Sequence, residues 1–178
     1  MSHSHEEYCA LRRTIAQRGT VRVALLPGTI AAWGLLASAL LAFSEIPSAT
    51  VFPLAVLVAG FEAVHALHVG VERIGRYVQV YYEGEPGGPK WETTAMAVGP
   101  ALPGGGTDPI FSAVFIVAAI TNLVPLLEVI PTALEFACLL GLHAGFITRV
   151  VRARGAAARQ RAMDLETYRA IKAGGSKA

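Results

Sequence analysis

The sequence predicts an all-α protein, an integral membrane four-helix bundle with both termini in the cytoplasm. Three observations predict it. Only 16% of the 178 residues are charged and 53% are hydrophobic, at a mean hydropathy of +0.49, whereas a soluble domain carries about a quarter charged residues. The charges are unevenly placed, with long runs free of them and arginine-rich ends. Finally, none of the fifteen lysines and arginines falls in the short interruptions at 44–50 and 128–130.

A helical crossing needs about 20 apolar residues, and four stretches qualify: 23–43, 51–71, 110–127 and 131–151. The second opens with Pro53 in its first turn, where a missing N–H does no harm. Pro125 and Pro131 bracket Glu128-Val129-Ile130 and favour a break there. An unbroken helix over 110–151 would be about 60 Å long, about twice the hydrocarbon thickness, so a tight hairpin is expected.

Charge sets the orientation. Residues 1–22 form a basic tail with Arg12, Arg13, Arg18 and Arg22; the loop 72–109 holds Arg73, Arg76 and Lys90; Arg149 and the tail 152–178 supply the remainder. Four crossings put all fifteen on one side, which the positive-inside rule makes cytoplasmic. The abundance of Ala, Gly and Arg over Lys suggests a bacterial source, hence a multi-pass protein of the bacterial inner membrane. Ala37-Ser38-Ala39 resembles a signal-peptide cleavage site, but the apolar run exceeds a usual h-region and continues past it, so the first span is read as retained.

The loop 44–50 is short enough to make the first two spans antiparallel neighbours. The second helix is expected to continue through Arg73, Arg76 and Gln79 toward Glu83, with Tyr77, Tyr81 and Tyr82 as an aromatic belt. Gly84, Pro86, Gly87, Gly88 and Pro89 end it. Residues 90–99 read as a short interfacial helix anchored by Trp91, and 100–109 as a linker. Residues 153–173 suit a surface-exposed helix, and 174–178 a disordered end. Cys9 and Cys138 read as free thiols, since one lies in the tail and the other within an apolar run.

The second span carries the informative pattern. At about 100° per residue, Glu62, His65, His68, Glu72, Arg73 and Arg76 fall within an arc of roughly 140°. Ionisable groups at membrane depth are costly and face a bundle interior or a wet cavity. On the fourth span Glu128, Glu135 and His143 share one face, and Thr121 and Asn122 add polar groups on the third.

Several functions fit. A small non-catalytic membrane protein, an accessory subunit of a larger assembly, needs the stripe only to hold the helices, with Glu62 against His143 and Glu72 against Arg73 or Arg76. An intramembrane haem protein would use His65 or His68 opposite His143. A transition-metal site would use Glu62, His65 and His143; Glu62-x-x-His65 matches one element of the di-iron bundles, which need it twice. A proton- or ion-conducting bundle would pass through Glu62, His65, His68 and Glu135. Ser, His and Asp follow no triad order, which points away from an enzyme. The tail residues His3, His5, Glu6, Glu7 and Cys9 read as solvated, and Gly104 to Gly106 lack the Gly-Lys-Ser/Thr of a phosphate loop. The expected partners are the lipid bilayer and a membrane protein or second copy, not nucleic acid, since a net charge of +2 is too small a footprint.

Overall fold

The computed structural model describes residues 3–84, 87–98 and 109–175. These are all helical in their regular parts, with no strand among them: α1 His3–Phe43, a 3₁₀ turn Pro47–Thr50, α2 Val51–Tyr81, α3 Trp91–Val98, α4 Pro109–Thr121, a 3₁₀ turn Val124–Leu127 and α5 Ala133–Gly175. Three helices, α1, α2 and α5, are long and apolar enough to cross a membrane. The linker expected over 100–109 lies outside the described residues except for Pro109, as do Glu85, Pro86 and the last three residues.

Four local readings differ from the sequence expectations. Residues 3–22, expected only as a basic tail, form the first half of α1, and Pro27 lies inside that helix. The surface helix expected over 153–173 is the continuation of α5, which runs through Gly175. Few breakers interrupt these Ala- and Arg-rich stretches, and the loss of hydropathy does not itself end a helix. The third apolar run is not one helix to Leu127, because α4 stops at Thr121. The ring of Pro125 would collide with the carbonyl four residues back, that of Thr121. α5 begins at Ala133, two residues after the expected start, because Thr132 caps it.

Two compact units form. One combines Val23–His65 with Pro109–Ala153; the other combines the chain up to Arg22, the stretch from Ala66 and the chain from Arg154 onward. The first, the apolar unit, is built on Leu54, Leu57 and Phe61 of α2, Phe115, Ala118 and Ala119 of α4, and Phe146, Val150 and Ala153 of α5. These positions recur at three- and four-residue intervals, the spacing of one helix face. Phe61 sits at the centre, edge-on to Phe115 at 5.3 Å and to Phe146 at 5.9 Å between ring centroids. Gly60 lets α1 approach, since a Cβ there would overlap the side chain of Thr29. The two 3₁₀ turns of this unit pack on each other.

In the second, the polar unit, Val78 and Val80 of α2 are buried. Tyr8 packs on Tyr82 and Tyr77 on Tyr81 and Tyr168, while the Tyr77 hydroxyl donates to Glu7 at 2.9 Å. Burial, with Glu7 beside it, pushes the Tyr82 phenol above its usual range.

Candidate functional site

The stripe on α2 is divided between the two units: Glu62 and His65 belong to the apolar one, and His68, Glu72, Arg73 and Arg76 to the polar one. In the apolar unit, Glu62 accepts from Arg149 Nη2 of α5 at 2.8 Å, and the same guanidinium lies 5.6 Å from the Phe61 ring centre. The His65 ring stacks on Phe61, one turn earlier.

His143 is almost fully buried, at 1% exposure. Its Nδ1 is 2.7 Å from the Leu139 carbonyl, so that nitrogen carries the proton and donates. Its Nε2 must then accept, and it does so from the Asn122 amide at 3.0 Å. Asn122, 2% exposed, also donates to the Thr50 carbonyl at 2.8 Å and accepts from Trp33 Nε1 at 3.3 Å. Thus the expected partner of Glu62, His143, is bound elsewhere, and both of its nitrogens are used. A haem iron or metal ion at Nε2 would have to displace Asn122. Among the described residues no three His, Cys, Asp or Glu side chains come together as a metal-binding group. Glu62, His65 and His143 therefore do not assemble one.

Glu135 has a different place. Its carboxylate accepts from the Thr132 N–H at 3.0 Å and the Thr132 hydroxyl at 2.8 Å, while Thr132 Oγ1 accepts from the Glu135 N–H at 3.3 Å. This is a capping box at the start of α5, and its Thr-x-x-Glu pattern was readable in the sequence.

The polar unit holds a cluster of charges. Arg76, 3% exposed, donates to Gln79 at 2.8 Å and pairs with Glu92 of α3 at 3.3 Å. The other oxygen of Glu92 takes Arg12 of α1 at 2.7 Å. Glu83 receives the backbone N–H groups of Glu92 and Thr93 and the Thr93 hydroxyl, each at 2.7 Å, placing a carboxylate at the start of α3. Arg73 pairs with Asp164 at 3.3 Å and Glu72 with Arg161 at 3.7 Å, so the pairing expected within α2 itself is replaced by pairing with α3 and α5. Adjacent residues such as Glu72 and Arg73 do not face each other on a helix, whereas Glu72 and Arg76, one turn apart, still attract each other without forming an ion pair. Glu92, which sequence reasoning did not single out, joins three helices. His68 Nδ1 accepts from Arg22 Nη1 at 3.0 Å.

Chemically, the arrangement neutralises charge and fixes helices. Compared with family models, curated proteins and solved structures, the chain matches none.

Proposed function

We propose that the chain is an integral membrane protein of a bacterial inner membrane, crossing it four times with both termini cytoplasmic, and that it acts as a non-catalytic accessory subunit of a larger membrane assembly. The observation that carries the role is the internal pairing of the stripe. Glu62, Glu72, Arg73 and Arg76 all have charged partners inside the chain, and His143 has both nitrogens engaged.

The membrane reading rests on surface as well as length. The apolar unit turns large hydrophobic side chains outward, among them Leu35 at 76%, Phe52 at 65% and Leu134 at 76% exposure, a surface suited to lipid or to a membrane partner. Packing of the two 3₁₀ turns, with the Asn122 bond to Thr50, draws the α1–α2 and α4–α5 connections together. Neither connection contains a lysine or arginine, as an external face requires. The third crossing is then α4 with its 3₁₀ continuation, Phe111–Leu127, near the lower limit of about 17 residues. The other three correspond to 23–43, 51–71 and 131–151, and α3 lies at the cytoplasmic interface with exposed Trp91 as its anchor.

Two experiments test this. Cys9 should react with a membrane-impermeant maleimide in inverted vesicles and not in intact spheroplasts; the reverse pattern overturns the topology. Purification from source-cell membranes in mild detergent should retain a stoichiometric membrane-protein partner. A protein that elutes alone, with a Soret band or stoichiometric metal, overturns the accessory role in favour of a cofactor protein.

A further inference from the structure

We infer that Arg18, Arg22 and His68 form a seat for the phosphate of an anionic phospholipid headgroup, an inference that rests on the membrane reading above. Arg18 and Arg22 lie one turn apart on α1 and therefore on one face. Both reach the same stretch of α2. Arg22 Nη1 lies 3.0 Å from His68 Nδ1, and Arg18 Nη1 lies 2.7 Å from where a side chain at Gly70 would begin. The missing side chain at Gly70 is what leaves room for the Arg18 guanidinium.

The ion-paired carboxylates of this unit pair with other arginines. Glu72 pairs with Arg161, Asp164 with Arg73, and Glu92 with Arg12 and Arg76, while Glu83 holds the start of α3. Neither Arg18 nor Arg22 forms an ion pair with a described carboxylate. Two like charges that reach the same stretch of α2, with no ion-paired carboxylate among the described residues, favour an anion there. Arg22 is also the last charged residue before the uncharged run 23–44, which sets it at the level of the lipid phosphates. A guanidinium offers a planar fork of donors that matches phosphate oxygens, and two of them give the site its selectivity over a neutral headgroup.

The test uses the full chain in phosphatidylcholine vesicles carrying phosphatidylglycerol as a minor component, with the lipid retained after mild detergent extraction counted by native mass spectrometry. The wild type should retain phosphatidylglycerol preferentially. The Arg18→Gln/Arg22→Gln double variant should lose about 30-fold of that preference, about five-fold for each arginine near the surface. Gly70→Ala leaves charge unchanged and favours the helix, yet displaces the flexible Arg18 side chain, so it should lose about five-fold. Arg159→Gln/Arg169→Gln, which removes the same charge from exposed positions of α5, should lose nothing. An equal loss in that control overturns the site in favour of general attraction, and displacement of the lipid by inorganic phosphate overturns it in favour of a soluble anion. Wild type that inserts but shows no headgroup preference overturns this inference alone; protein stripped from the vesicles by alkaline carbonate overturns the membrane reading with it.

Discussion

Replacing Glu92 by glutamine removes one negative charge and almost no volume, at the point where α1, α2 and α3 are joined. The Glu92 side chain is 12% exposed and Arg76 only 3%, so the substitution leaves a buried guanidinium without its carboxylate. Breaking a buried pair from one side costs about 3–5 kcal/mol. Gln79 still accepts from Arg76 at 2.8 Å, and the amide oxygen remains an acceptor, so the lower end, about 3 kcal/mol, is expected. An eight-residue helix cannot hold itself in water. α3 depends on the Glu83 carboxylate at its start and on Glu92, and its opening is where the loss should appear first.

Hydrogen exchange read on peptides covering 91–98 measures that opening directly. A fall of about 3 kcal/mol corresponds to exchange roughly 100-fold faster, up to the rate of an unprotected chain. Gly75→Ala supplies the same perturbation without a change of charge. A Cβ at Gly75 would stand 2.7 Å from Glu92 Oε2 and 3.3 Å from its carboxyl carbon, which forces the carboxylate away from Arg76. Unchanged exchange in α3 for both variants would refute the argument that Glu92 holds this helix.

Three further outcomes follow from the apolar unit. Asn122→Leu leaves the Trp33 N–H, the Thr50 carbonyl and His143 Nε2 without their partner, at about 1–3 kcal/mol for each buried group; thermal unfolding in detergent should show a loss above about 3 kcal/mol, and a loss near zero would remove Asn122 as the junction of the unit. Gly60→Ala should cost about 1–3 kcal/mol, because Thr29 is β-branched and cannot swing aside. Adding Thr29→Ala removes the two nearest atoms but keeps the Thr29 Cβ at 2.8 Å, so it should recover only part of that; failure of the second change to help at all would place the clash elsewhere. Thr132→Ala should cost about 1 kcal/mol as a lost cap, with Glu135→Gln milder because glutamine also closes a capping box. Loss of ion conduction in Glu135→Gln with stability intact would give that residue a role beyond the helix end.

The helical class and the placement of most elements were legible because each rests on a local signal. The apolar runs announce themselves by length, and α2 keeps its helical spacing through Arg73, Arg76 and Gln79 past the end of its hydropathy. The Gly and Pro cluster after Tyr82 separates it from Trp91, where α3 starts. The end of α4 was placed too late because proline acts backwards: Pro125 is felt at Thr121, before any change in composition. A helix over 153–173 was expected, but its continuity with the apolar part of α5, and that of residues 3–22 with the apolar part of α1, was not, since solubility changes along these helices while helix propensity does not.

The stripe itself was legible as one face of one helix, but its partners were not. Arg149 lies 87 residues from Glu62, and Arg12 lies 80 from Glu92, so no local spacing could indicate them. What the sequence did contain was a constraint on their number. The apolar unit has only two basic residues, Arg149 and Arg152, and a charge at membrane depth is expensive unless neutralised. Glu62 on α2 therefore had few counter-ions to choose from within that unit, and Arg149 is the one that reaches it across the Phe61 ring. The same reasoning separates the two halves of the stripe. Below His65 the helix faces a unit rich in both signs of charge, where Glu72, Arg73 and Arg76 each find a different partner. Glu62 in the apolar unit thus has its partner set by the scarcity of counter-ions there, whereas in the polar unit the partners of Glu72, Arg73 and Arg76 are selected by geometry.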